Sequence, residues 1–330
     1  MRERIFPGLA AVFTLVICGC TAQPAWEARY DGGGDGDATA YDVAVDGDGN
    51  VYVTGASIGK GTSYDYVTVK YDSDGTELWV ARYNGPDDYN DVARSVRVDG
   101  AGNVYVTGTS EGVEMQDDYA TVKYDPNGIE LWVAHYNGPG DDDDEAQSVR
   151  VDGAGNVYVT GTSYGVETQG DYATVKYGPD GAELWVARHD GPAGMHDEAN
   201  ALAVDGDGNV YVTGYTYQSA TDDDITTIMY DTDGTEIWAA RYSGPTRDDH
   251  GKAIAVDDLG YVYVTGESYG NNYYDDYVTI KYDPEGSELW AARYNGPVDQ
   301  HDKAEAVAVD AWGNVYVTGT SDGGTGGGAL

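Results

Sequence analysis

Five aspartates, Asp91, Asp144, Asp197, Asp249 and Asp302, each stand eight residues ahead of a second aspartate that closes a short apolar segment. The corresponding first position is Ala38, with Asp37 beside it. If these segments line a central channel, the loops entering them put carboxylates around one mouth. A ring of acids at small radius repels itself unless a cation sits in it or solvent screens it. Hard carboxylate oxygens suit Ca²⁺ best. The competing reading is a set of turn caps, because Asp accepts hydrogen bonds from backbone N–H groups in loops.

Other residue patterns carry weaker chemistry. Gly-x-Ser-x-Gly occurs around Ser57, Ser110, Ser163 and Ser268, but a nucleophile elbow needs a strand turning into a helix, and no helical period follows any of them. The Asp-Gly-Asp-Gly-Asn segments at 46–50 and 205–209 have Val51 and Val210 where an EF-hand requires Gly, so they read as hairpin turns. His196 and His301 align one residue before the aspartate series and His250 is offset; a transition-metal site would need such imidazoles to converge. His135 and His189 replace an Arg and a Tyr and read as structural. Tyr269, Tyr273 and Tyr274 fall in a loop and could offer aromatic platforms to sugars.

The elements that must position these residues repeat. Trp26, Trp79, Trp132, Trp185, Trp238 and Trp290 recur at a spacing of 53 residues, 52 for the last interval. Within one copy, Ala93–Asp99, Val104–Thr109, Asp118–Asp125 and Glu130–Asn137 are rich in Val, Tyr and Thr and read as strands. Asp99-Gly100-Ala101-Gly102-Asn103 and Asp125-Pro126-Asn127-Gly128 are turn chemistry between them. Four short antiparallel strands repeated in tandem predict an all-β protein, a β-propeller whose blades are covered on both faces. Six copies predict six blades. From Asp310 the third strand of the last copy would begin at position 329, so the sixth blade is expected to be incomplete; either the strand at Trp26–Asp31 closes it, or the sequence is a truncated form of a longer propeller.

The composite Ala-x-x-Val-x-Val-Asp, Gly-Asn-Val-Tyr-Val-Thr-Gly-x-Ser, Asp-Tyr-x-Thr-Val-Lys-Tyr-Asp, Gly-x-Glu-Leu-Trp resembles the bacterial SBBP β-propeller repeat over residues 26–322. That resemblance implies an exported bacterial protein, often surface-attached, with no single assigned activity. Gly-x-Glu-Leu-Trp is also similar to the tryptophan-docking pattern of quinoprotein propellers.

With 58 acidic and 18 basic residues and a net charge of −40, the chain is a poor partner for nucleic acid or an anionic lipid surface. Seven Lys against 43 Asp would also keep a protein soluble in brine. Arg2 and Arg4 precede the apolar stretch Ile5–Gly19, a secretory leader in pattern. Ile17-Cys18-Gly19-Cys20 resembles the bacterial lipobox, which implies cleavage after Gly19 and acylation of Cys20. The expected organisation is a lipoprotein leader at 1–19, a tether at 20–25, the propeller at 26–322 and a Gly-rich tail at 323–330. Cys20 would be the mature chain's only cysteine, so no internal disulfide forms. The reading is a monomeric, lipid-anchored surface module that binds protein or glycan. The alternative is an extracellular polysaccharide hydrolase or lyase using acids at the channel mouth, such as those of the Asp141–Asp144 loop.

Overall fold

The computed structural model describes residues 15–18, 24–32, 37–112, 116–166, 168–218, 222–270 and 273–322. Cys20, most of the leader and the tail at 323–330 lie outside them. Sheet 1 comprises Ala38–Val45, Val51–Ile58, Tyr64–Tyr71 and Glu77–Tyr83, and sheet 2 Asp91–Val98, Val104–Glu111, Asp117–Tyr124 and Glu130–Tyr136. Sheet 3 comprises Asp144–Val151, Val157–Tyr164, Gly170–Tyr177 and Glu183–His189, and sheet 4 Asp197–Val204, Val210–Gln218, Asp222–Tyr230 and Glu236–Tyr242. Sheet 5 comprises Asp249–Val256, Val262–Tyr269, Asp275–Tyr282 and Glu288–Tyr294; among the described residues sheet 6 comprises Asp302–Val309 and Val315–Ser321. Every sheet is an antiparallel meander in chain order. The N-terminal strand, expected to close sheet 6, instead pairs with residues 15–18: Pro24–Ala28 runs antiparallel to Leu15–Cys18. That partner is a β-branched, apolar run a few residues away, so pairing costs little loop entropy.

Contacts divide the chain into two compact units, Met1–Tyr136 and Asn137–Leu330. In the first unit, Tyr52, Tyr66 and Tyr83 of sheet 1 pack against Val96, Val104, Val106 and Val122 of sheet 2. On the other side of sheet 1, Trp26, Ala28 and Tyr30 cover Val51, Val53, Val67 and Val69. In the second unit, sheets 3 and 4 meet through Tyr158, Tyr172, Leu202, Val212 and Ile228, and sheets 4 and 5 through Tyr211, Ile225, Ile254, Val264 and Ile280. Within each unit the first strands of successive sheets touch, the arrangement of blades about an inner edge. Both faces of a blade are therefore covered. Val157, Tyr158 and Val159 are all buried, and the expected inside–outside alternation of a strand disappears. Burying each such Val is worth about 1.5–3 kcal/mol.

Three repeat residues explain themselves through these junctions. Trp79 Nε1 donates to the Pro126 carbonyl at 3.0 Å, and Trp185 Nε1 to that of Thr232 at 3.0 Å. Both indoles thus dock onto the last turn of the next sheet. There Gly234 is needed twice over, because its φ is +82° and an added Cβ would lie 2.7 Å from the Trp185 ring. The Gly that ends Asn-Val-Tyr-Val-Thr-Gly faces a β-bulge in the first strand, where the register slips between Ala146 and Ser148. A Cβ on Gly161 would meet the Glu145 carbonyl oxygen at 1.9 Å, so the close backbone approach excludes any side chain.

Candidate functional site

Each of the five aspartates opens the first strand of its sheet, and none is more than 1% exposed. Their carboxylates cap the loops that enter those strands. Asp91 accepts the Gly85 N–H at 2.7 Å and the Ser110 hydroxyl at 2.5 Å. Asp144 accepts the N–H groups of Gly138 and Tyr164, at 2.5 and 3.1 Å, and Asp197 those of Gly191 and Tyr217, at 2.5 and 2.8 Å. Asp249 and Asp302 accept from Gly244 and Gly296, at 2.5 and 2.6 Å. Burial pushes the carboxyls of Asp91, Asp197 and Asp249 up to about 6, against their hydrogen bonds, and raises Asp144. The same loops account for Gly-x-Ser-x-Gly: its first Gly faces the bulge, and its Ser serves the buried polar line, as Ser163 does by accepting from Arg188. The Asp-x-x-Gly segments are hairpin turns. Asp46 accepts the N–H groups of Asp48 and Asn50 and the Tyr52 hydroxyl, at 3.0, 2.9 and 2.9 Å.

Of the five aspartates, the structure brings Asp197 into a carboxylate group that spacing did not reveal. Asp171, Asp190 and Asp197 have ligand oxygens within 4.8 Å of one another at the junction of sheets 3 and 4, and this acidic triad could hold a metal ion. Asp171 is 4% exposed; its Oδ2 accepts from Arg188 and Thr168, at 2.8 and 2.9 Å, while its Oδ1 is buried without a hydrogen-bond partner. Asp190 is raised by desolvation and by the Asp171 charge. The third carboxylate departs from the commonest residue of its column, Asn, as Asp31 also does in the first copy and Ser243 in another. Asn84, Asn137 and Asn295 fill the position of Asp190, and their amides donate to Asp88, Asp141 and Asp299 at 2.6, 2.9 and 2.6 Å. Those three aspartates have positive φ, and in the third copy Gly194, with φ +57°, stands in their place. Asp190 therefore has no side chain to cap at that site. The column holds Asn84, Asn137 and Asn295 together with Ser243, Asp31 and Asp190, so the signal was legible only as a carboxylate replacing the commonest residue, and Asp31 shares it.

A second cluster breaks the repeat across sheets 4, 5 and 6. His250 Nε2 lies 3.0 Å from Asp223 Oδ2 and its Nδ1 3.1 Å from Glu267 Oε1. Lys303 Nζ reaches Glu267 Oε2 at 2.7 Å and Asp275 at 3.5 Å, and His301 Nδ1 reaches Asp275 at 2.8 Å. Tyr215 donates to Glu198 at 2.9 Å and its ring sits 4.4 Å from that of His250. Burial opposes the charge on His250, but the carboxylates on either side override it and push the imidazole up to about 9. Burial likewise opposes ionisation of Glu267, and the cations around it hold it down to about 2. His196 faces Glu198 at 3.8 Å. Each of the three histidines thus faces carboxylates of its own. Glu267 fills the position of Thr109 and Thr162, a difference readable in sequence only once the copies are aligned. His135 contacts Tyr83 at 3.2 Å and His189 Glu236 at 3.1 Å, both as packing and pairing groups.

The fold and these junctions define a β-propeller repeat protein. The family described as SBBP, beta-propeller repeat, matches residues 131–166, 193–218 and 237–274. No curated protein matches the chain in sequence. Among solved structures, the chain resembles the β-propeller domain of the Trilobed protease from Pyrococcus furiosus, described as having an open velcro topology. The TM-score is 0.50 at 9% identity over 81% of this chain and 75% of that one. A protein of unknown function from Bacteroides caccae gives 0.48 at 12% identity over 82% and 86% of the two chains. A protein from Lactobacillus plantarum gives 0.49 at 15% identity over 82% and 74%. At these identities the likeness is one of fold.

Proposed function

We propose that this chain is an exported binding module without catalytic activity, anchored to the bacterial envelope by lipid on Cys20 and presenting its loops to a protein or glycan. Ca²⁺ at Asp171, Asp190 and Asp197 braces it. The observation that carries the reading is the fate of His250, the most reactive-looking side chain of the repeat-breaking cluster. Both its ring nitrogens are held by carboxylates, at 3.0 and 3.1 Å, so the group is spent on an ion-pair brace between sheets. The raised carboxyls of Asp91, Asp197 and Asp249 recur at equivalent positions and also belong to the scaffold. A catalytic propeller would be expected to raise one carboxyl at one asymmetric cleft. The cation is supported by three hard carboxylate oxygens brought within 4.8 Å of one another.

The test is expression of the full chain in a bacterial host with radiolabelled palmitate, followed by chromatography of envelope polysaccharides and proteins over the purified product. Label lost in Cys20→Ser, together with retention of an envelope component released intact, is expected. Unlabelled wild type removes the anchor, and shortening of a retained polysaccharide removes the non-catalytic reading.

A further inference from the structure

We infer that the groove between the first turns of sheets 5 and 6 binds a neutral oligosaccharide. This inference rests on the reading of the chain as a binding module and names one of its sites.

In four copies the first turn is built from small or acidic residues, as in Asp99-Gly100-Ala101-Gly102-Asn103 and Asp205-Gly206-Asp207-Gly208-Asn209. Sheet 5 has Asp257-Asp258-Leu259-Gly260-Tyr261, and sheet 6 has Asp310-Ala311-Trp312-Gly313-Asn314. The turn does not require these substitutions. The Leu259 N–H donates to Asp257 at 3.0 Å and the Trp312 N–H to Asp310 at 3.0 Å, just as Ala101 donates to Asp99 at 2.9 Å. The side chains are nevertheless large, apolar and open to solvent, Leu259 at 75% and Trp312 at 87%. Among the described residues sheet 6 has two strands, which by itself raises exposure there. Leu259, however, belongs to a four-stranded sheet and is bare all the same.

Both residues line one groove of about 440 Å³ with Tyr261, Tyr263, Lys281 and Asp258, a volume within the range of small-ligand sites. Lys281 is placed differently from its counterparts. Lys70 and Lys176 lie over one ring each, Tyr52 and Tyr158 at 5.0 and 5.1 Å, and donate to carbonyls of the following sheet at 3.3 and 3.0 Å; Lys281 keeps the equivalent contact with Tyr263 at 4.8 Å and adds a second ring, Tyr261 at 4.1 Å. Tyr261, itself a departure from the Asn of the other copies, creates the nearer contact.

The chemistry of the walls selects the ligand. Indole, leucine and the Tyr261 ring match the C–H face of a pyranose ring, and the Tyr261 phenol, the ammonium and the Asp258 carboxylate offer donors and acceptors to its hydroxyls, while Tyr263, buried with its hydroxyl on Asp257 at 3.0 Å, forms the floor. The net charge of −40 repels a polyanion, which leaves a neutral sugar.

The purified full chain is titrated with cellohexaose, laminarihexaose, mannohexaose and chitohexaose, with polygalacturonate as the anionic comparison, by calorimetry and tryptophan fluorescence. Trp312→Ala and Leu259→Asp are the variants; the residues introduced already occupy this position in other copies, so melting temperature is expected to hold. At least one neutral hexasaccharide should bind, tenfold or more weakly in Trp312→Ala. The inference is overturned if no neutral sugar binds, if only polygalacturonate binds, or if both variants bind as wild type. It is also overturned if sedimentation shows self-association that Trp312→Ala abolishes, which assigns the groove to a second copy. Trp312→Ala that still retains an envelope component while no sugar binds defeats this site and leaves the module reading standing; loss of all retention by wild type defeats the module reading itself.

Discussion

His250 and Glu267 face each other directly across the first two strands of sheet 5, with Nδ1 and Oε1 3.1 Å apart, and Lys303 of sheet 6 holds the other Glu267 oxygen at 2.7 Å. Asp223 completes the imidazole's surroundings at 3.0 Å, with Lys252 3.9 Å from Glu267 and the Tyr215 ring alongside. An imidazole pushed up to about 9 favours the folded state most fully below its unfolded value near 6.5, and that contribution is lost as pH rises through 9. The chain should therefore lose roughly 1–3 kcal/mol of stability between pH 6.5 and 9 from this group. His250→Gln should flatten that limb in urea unfolding followed across the range. An unchanged slope in the variant would remove the imidazolium from the brace.

Asp249 works in the same sense over a lower pH window. Its carboxyl, pushed up to about 6 by burial, is easier to ionise in the unfolded chain, so its contribution is greatest below pH 4 and falls as pH rises through 6. Asp249→Asn keeps an oxygen for the Gly244 N–H and should shallow the pH 4–6 limb. Asp249→Ala strands that buried N–H and should cost about 1–3 kcal/mol more at pH 7. Equal melting temperatures for the two variants at pH 7 would contradict this account.

Calcium saturating the triad at a hundred times its dissociation constant would stabilise the fold by about 2.7 kcal/mol. Wild type should melt several degrees higher in millimolar Ca²⁺ than in chelator. Asp190→Asn installs the residue that Asn84, Asn137 and Asn295 supply in three other copies, relieves repulsion and should abolish the shift without lowering the chelator value. A shift of equal size in the variant places the ion elsewhere; no shift in wild type removes it.

Trp185 joins sheet 3 to sheet 4 through its indole N–H. Trp185→Phe deletes the hydrogen bond to Thr232 and should cost about 1 kcal/mol, whereas Trp185→Ala also uncovers Gly234 and should cost about 3 kcal/mol. Denaturant unfolding of both variants checks the order, and a Phe variant as damaged as the Ala variant would put the energy in the hydrogen bond instead of the packing.

Much of this molecule was readable from its residues, because a repeat states each local preference several times over. Val, Tyr and Thr runs, Asp-x-x-Gly turns and the recurring Trp set the four-stranded unit, and the two described strands of the last copy stand where the repeat puts them. What a column of equivalent residues cannot state is which neighbour each side chain meets across a junction. Asp91, Asp144, Asp249 and Asp302 were visible as a series, yet their burial as loop caps depends on Gly N–H groups brought back by chain reversal. Asp197 acquired Asp171 and Asp190 only because adjacent sheets meet there. The partner of Pro24–Ala28 likewise came from pairing energetics that pattern alone does not rank. Short-range conformational preference is written residue by residue, whereas charge proximity and solvent exclusion are properties of distances that exist only once the sheets have packed.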